Sequence, residues 1–375
     1  MIQMKVSKEQ RSVIYYHQSL PLFRFKFNWF GRGAKENFFY YYIYPLYVKS
    51  FLKKNTFVAV QTEDIRQRFS KRYGFPADRI GVYFPEVEKV DAASVADYPY
   101  ETDTYNFIYP SMGASYKEHV TLVYALKRIY DRHPAIAEKI RIHFTLQADD
   151  NKDLYEHICQ YQQQRNFVFH GNIPHQQVLS MMKSGNGLLF PSVIETLGLP
   201  LLEAASLGIP VIANDMGFAR EVLSGYEGVS YVMVHGFDAW AAQMVCCCEK
   251  KKRYPLYTHL SDNSWGRLIR QIEGPDNHRG KTICVVATAS AKRGALAIYK
   301  QLVKALQQDG QGNEWHIFVD VDMPMPEMPH VHYHICHTKG FGRIWFDLRG
   351  FQQETKRQGI TPDVIFSLQN TGVIC

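Results

Sequence analysis

The chain has 375 residues, 46% of them hydrophobic and 21% charged, with a formal net charge of +7. That composition describes a soluble, globular chain with room for two domains of ordinary size. No apolar run reaches membrane-spanning length, since Phe38–Val48 is tyrosine-rich and interrupted by Pro45, and no secretory signal is visible. Seven cysteines, three of them adjacent at 246–248, do not make a disulfide framework and point to a reduced, cytoplasmic compartment.

In chain order, the apolar run Val13–Tyr16 predicts a strand ending at His17. A helix over Asn37–Lys53, a strand Thr56–Val60, a helix Glu63–Tyr73 and a strand Arg79–Phe84 follow. Residues 1–100 hold 16 Lys and Arg against 9 Asp and Glu, which is the whole net charge. Phe23–Lys54 is both basic and aromatic, a pattern that suits peripheral contact with the inner face of an anionic membrane or with a lipid-linked acceptor. The same spacing of Tyr and Phe also fits a helix packed inward with solvated lysines at its flanks. Nucleic acid is not expected as a partner.

From Asn106 to Lys251 strand and helix alternate. Strands are predicted at Phe107–Tyr109, Ile140–Leu146, Phe167–His170, Gly187–Pro191, Pro210–Ala213 and Val229–Val232. Between them lie helices over Lys117–Arg132, Asp153–Gln163 and Gln176–Lys183, one carrying Glu203, and a last one over Phe237–Lys251. Such alternation describes a doubly wound α/β domain. A helix over Trp265–Ile272 and a linker Glu273–Gly280 come next. Strand Ile283–Thr288, helix Ala295–Gln308, strands Trp315–Asp320 and Val331–Cys336, a helix near Phe351–Gln358 and strand Val364–Ser367 complete the chain.

The most specific stretch is Phe190–Asn214. Its strand runs into a loop with Glu195 and Gly198, then a helix whose first turn holds Pro200 and which carries Glu203. A helix start offers unsatisfied N–H groups and the positive end of the helix dipole, so this turn suits a diphosphate, with two carboxylates for sugar and ribose hydroxyls. Two glutamates eight positions apart are by themselves as compatible with a solvated loop. The surrounding E-T-x-G-L-P-x-L-E-A, the G-I-P-V-I-A strand and Arg220–Leu223 (REVL) together resemble the E-x7-E region of glycosyltransferase family 4, the retaining enzymes of the GT-B fold.

The resemblance implies two Rossmann-like doubly wound α/β domains, with the segments in circularly permuted order. Residues 101–260 correspond to the family's donor-binding half. The other half is divided: 276–375 supplies its front and 1–100 its rear, with 261–275 as the crossover helix. The expected consequence is that Val364–Ser367 lies beside Val13–Tyr16 in one sheet, with Met1 near Cys375. A junction of two neighbouring genes would leave the same order of segments.

By resemblance, Glu195 contacts the transferred sugar, Glu203 the ribose, and Lys117 with the Thr196, Leu197, Gly198 and Leu199 turn the diphosphate. His17 resembles the histidine facing the donor sugar, so His17 and Glu195 are the catalytic candidates. Arg293 and Gly294 resemble the glycine-rich loop, although one glycine stands where a pair is usual, and the usual arginine upstream of Lys117 is absent. Asn370 is placed on the acceptor side. The resemblance implies front-face displacement with no cofactor and no metal. His330, His332, His334 and Cys336 alternate onto one strand face, a spacing poorly suited to a tetrahedral site. The expected function is a metal-independent retaining transferase. It would move sugar from a nucleotide-sugar donor to a glycan or lipid-linked acceptor in surface polysaccharide synthesis. A nucleotide-sugar 2-epimerase and an inactive gene-junction product are the alternatives.

Overall fold

In the computed structural model the described residues are 10–23, 38–87, 90–250, 252–257, 264–274, 280–290, 293–309, 312–338, 342 and 345–368. Met1, Asn370 and Cys375 lie outside them, as does much of Phe23–Lys54. The chain forms two compact units, Met1–Glu86 with Ser261–Cys375, and Val87–Leu260.

The first unit contains β1 (Arg11–Tyr15), β2 (Thr56–Val60) and β3 (Ile80–Val82) from the front of the chain. The rear contributes β10 (Thr282–Val286), β11 (Glu314–Val319), β12 (Val331–Ile335) and β13 (Val364–Ser367). All seven strands join one parallel sheet in the order β12-β11-β10-β13-β1-β2-β3. The register pairs Val13 with Phe366 and Val285 with Phe366 on the other side, so β13 is the strand that unites the two parts of the chain. Counted from β10 and continued through β1, the order is third, second, first, fourth, fifth, sixth, seventh.

The central strands β10, β13, β1 and β2 are mostly apolar because both faces are covered, whereas the edge strand β12 carries His332 and His334. On one face Ile283, Val285, Trp315, Ile317 and Phe366 meet Tyr299, Leu302 and Leu306 of helix Arg293–Asp309 and Trp265, Leu268 and Ile272 of helix Ser264–Glu273. On the other face Cys284, Val286, Phe318 and Ile365 meet Phe346 and Phe351.

The second unit has six parallel strands, β4 (Tyr105–Tyr109), β5 (Ile140–Phe144), β6 (Phe167–Phe169), β7 (Gly187–Phe190), β8 (Val211–Asn214) and β9 (Val229–Val232). Their order is β6-β5-β4-β7-β8-β9, again third, second, first, fourth, fifth, sixth. Both units are therefore Rossmann-like. In each, strand order reverses between the first and fourth strands, and the crevice at their carboxyl ends is where doubly wound sheets hold ligands. In the second unit that crevice lies between β4 and β7.

One element differs from the sequence expectation where it matters. The helix expected over Lys117–Arg132 begins at Val120. Ser115–Lys117 forms a separate single turn, and Glu118 at φ 53° adopts the left-handed conformation, which an α-helix cannot continue through. Helix Gly217–Val222, which contains most of the REVL stretch, had no element assigned to it from sequence.

Candidate functional site

Two loops meet at the switch point of the second unit. After β4 the chain runs through Pro110–Ala114 to the Ser115–Lys117 turn, and the Tyr109 hydroxyl donates to the Lys117 carbonyl at 2.8 Å. After β7 it runs through Pro191–Leu197 into helix Leu199–Ser206. The loops are tied together by the Val193 amide, which donates to the Tyr116 carbonyl at 3.0 Å.

Across this junction the Lys117 ammonium forms an ion pair with the Glu195 carboxylate. Their side chains are only 12% and 16% exposed, so the pair is shielded from bulk water while still reachable. Burial drives the Tyr109 hydroxyl well above its ordinary pKa, with the Glu195 charge adding to the shift, so Tyr109 stays a neutral donor. Gly198, at φ 78°, turns the chain into the helix, and a Cβ there would stand 3.1 Å from Leu201 Cδ1. Glycine is required to make this turn without strain. Leu199 is exposed at the mouth of the helix.

Glu203, on the same helix, has its carboxylate 2.8 Å from His175 Nε2, with the histidine side chain 60% exposed. His175 is a candidate that sequence reasoning missed, brought in by its contact with Glu203. The helix carrying it was expected to start one residue later, and no local pattern ties it to Glu203, 28 positions away.

His119 was also missed. Its Nε2 lies 2.8 Å from the Ser111 hydroxyl, and its ring packs between Tyr109 and Phe144. Nδ1 is buried with no hydrogen-bond partner among the described residues, which favours the proton on Nε2, donated to Ser111. Burial, with the Lys117 charge adding, pushes the imidazole down to about 3, so it is neutral and holds the 110–117 loop as a fixed donor.

The remaining sequence-predicted residues belong to the first unit. His17 follows β1, where burial pushes its imidazole down to about 4. Arg293 and Gly294 open the helix after β10, so they occupy the carboxyl edge of the same parallel sheet. Asn370 is outside the described residues. Lys117, Thr196, Leu197, Gly198, Leu199, Glu195 and Glu203 are thus brought together in the second unit, and His17, Arg293 and Gly294 share a sheet edge in the first.

The histidines of β12 engage β11. His332 Nε2 is 2.8 Å from a Glu314 carboxylate oxygen, and His334 Nε2 is 3.0 Å from His316 Nδ1. Among the described residues no three His, Cys, Asp or Glu side chains converge as a metal site. Nor is any helix among them long and apolar enough to cross a membrane.

The gpi3 subunit of phosphatidylinositol N-acetylglucosaminyltransferase from Schizosaccharomyces pombe is 33% identical over 107 residues, 28% of this chain and 22% of that protein. An uncharacterized 41.2 kDa protein of the cps region of Klebsiella pneumoniae is 30% identical over 104 residues, 28% of this chain and 27% of that protein. The matches thus span about a quarter of the curated relatives' length. Among solved structures, Anabaena HepE in complex with UDP-glucose aligns with TM-score 0.48 at 16% identity, covering 63% of this chain and 62% of that one. The family model "Glycosyl transferases group 1" matches residues 95–243, a span that lies within the second unit and contains the Lys117–Glu195 pair, the Gly198 turn and Glu203.

Proposed function

We propose that the protein is a retaining, metal-independent glycosyltransferase. It transfers a sugar from a nucleotide-sugar donor to a glycan or lipid-linked acceptor in the synthesis of a surface polysaccharide. The observation that carries this reading is the junction at the second unit's switch point. There a shielded Lys–Glu pair adjoins a glycine-led helix start, and that helix carries a second glutamate, all inside the stretch matched by the glycosyl transferase family.

Each residue has a part in the proposed chemistry. The leaving diphosphate is held by Lys117 and by the backbone of Thr196–Leu199 at the helix start, which supply positive charge where negative charge develops. A cation and aligned N–H groups fill the role a divalent ion plays elsewhere, so no metal is invoked. Glu195 takes hydroxyls of the transferred sugar and must exchange part of its bond to Lys117 for them. Glu203, with His175 beside it, takes the ribose hydroxyls. The family resemblance further assigns His17 to the donor sugar, Arg293 and Gly294 to the phosphates and Asn370 to the acceptor side. The leaving phosphate itself accepts the acceptor's proton, which removes the need for a side-chain nucleophile.

The same proposal reads the first unit, Met1–Glu86 with Ser261–Cys375, as the acceptor domain in circularly permuted order. Its support is the strand order: counted from β10 through β13 to β1, it repeats the order of the second unit. The basic, aromatic Phe23–Lys54 region keeps the enzyme at the cytoplasmic membrane surface, near its acceptor.

Incubation with individual nucleotide sugars, followed by NMR, tests the reading. A retaining transferase releases nucleoside diphosphate slowly and yields free sugar of unchanged anomeric configuration. Formation of the 2-epimer, or no turnover with any donor and acceptor extract, would overturn it.

A further inference from the structure

The first unit exposes large apolar side chains in a pattern unlike ordinary surface scatter. Among the described residues 14 large hydrophobic side chains are exposed, and seven of them fall on two helices. Five are Phe38, Phe39, Tyr42, Ile43 and Leu46, the last 69% exposed. They precede or lie within the continuous helical run Phe39–Ile43 and Tyr44–Phe51. Successive steps of three and four residues place them on one face. The opposite face packs inward through Pro45, Val48 and Phe51. Of the other two, Trp345 precedes and Leu348 lies within the helical run Phe346–Gly350 and Phe351–Arg357, which buries Phe346 and Phe351 instead.

The two helices are fastened to each other. The Tyr47 hydroxyl donates to Asp347 at 2.8 Å, a bond between residues 300 positions apart. The Arg72 guanidinium donates to the Tyr41 carbonyl at 2.7 Å and lies over the Tyr41 ring. The outward face is therefore held in place from beneath. Lys49 and Arg349 are exposed on the same two helical runs, Lys53 and Lys54 are exposed just past the first, and residues 1–100 carry the whole net charge of the chain.

We infer that these two helices together form one lipid-docking face. Phe38, Phe39, Tyr42, Ile43, Leu46, Trp345 and Leu348 enter the headgroup–acyl boundary of an anionic bilayer, and the neighbouring lysines and Arg349 meet its phosphates. Aromatic and aliphatic side chains on one side with cations at the margin are what an interfacial helix needs. The charge argues for an anionic lipid surface over a second copy of this chain, because two faces of the same positive sign repel. The inference sharpens the membrane contact proposed above and rests on it for its partner class. It adds that the rear of the chain supplies part of the face and that the inward tyrosines do not touch lipid.

The test is co-sedimentation of the full chain with vesicles of phosphatidylglycerol and phosphatidylcholine, or of phosphatidylcholine alone, at low and high salt. The wild type should bind the anionic vesicles and be released by salt. Leu46→Glu should lower partitioning roughly tenfold and Trp345→Ala severalfold, with circular dichroism and nucleoside diphosphate binding unchanged. If the wild type binds and both variants bind equally well, this face is wrong while the membrane contact stands. If the wild type binds no anionic vesicle, both fail. A concentration-dependent dimer in sedimentation that Leu46→Glu dissolves, without lipid binding, would reassign the face to self-association.

Discussion

Removing one partner of the Lys117–Glu195 pair should cost more than an exposed ion pair can account for. The two side chains are 12% and 16% exposed, so whichever charge remains is poorly solvated. A hydrogen bond to a charged group contributes about 1.5–3 kcal/mol net. Exposed pairs contribute at most about 1 kcal/mol. Lys117→Ala, Glu195→Ala and the double variant make a cycle that isolates the pair. Trp240 is fully buried and is the one tryptophan of residues 87–260, so 5-fluorotryptophan NMR during urea unfolding reports this unit alone. The coupling energy should lie at about 1.5–3 kcal/mol and survive 1 M salt in large part, since partly buried pairs are weakly screened. A coupling below about 0.5 kcal/mol would refute the claim that the pair is shielded enough to add to the Val193–Tyr116 tie between the loops after β4 and β7.

Glu203→Ala should weaken nucleotide-sugar affinity by about 1.5–3 kcal/mol, roughly 10- to 150-fold, in a folded protein; unchanged calorimetric affinity would remove Glu203 from the site. Glu195→Gln and His17→Ala should each lower kcat by more than they raise KM, and wild-type turnover in either would cancel its assigned role. His119 should make stability fall in acid. Its folded pKa of about 3 lies below the unfolded ~6.5, so between these values the unfolded chain binds the extra proton. Its contribution is complete above pH 6.5 and declines as pH falls, by up to about 1.4 kcal/mol per pH unit. His119→Gln should flatten the urea midpoint between pH 6 and 4, and an unchanged slope would contradict the buried neutral histidine.

Sequence legibility followed the range of each interaction. The pairing of β13 with β1 could be read because both are apolar runs of strand length and because neither sequence half makes a covered sheet alone. The junction of Glu195 with the glycine-led helix was also readable, since its parts lie within one loop. Lys117 was correctly placed near the first helix but on the wrong element. The left-handed residue that detaches its turn is Glu118, and glutamate carries no sequence signal for that conformation. His175 and His119 act through tertiary neighbours, Glu203 and the Ser111 loop, which periodicity cannot reveal. The helix after Phe38 is aromatic on both sides. Spacing alone therefore fitted an inward face as well as an outward one, and only the packing of Pro45, Val48 and Phe51 separates them.

Hydrogen–deuterium exchange with and without saturating nucleoside diphosphate tests the central claim most directly, because it reports where the ligand sits without requiring the acceptor. The account predicts slowed exchange in residues 110–119 and 193–206, with little change in β11 and β12. Protection confined to other segments, or none with any nucleoside diphosphate, would contradict a donor site at the crevice between β4 and β7.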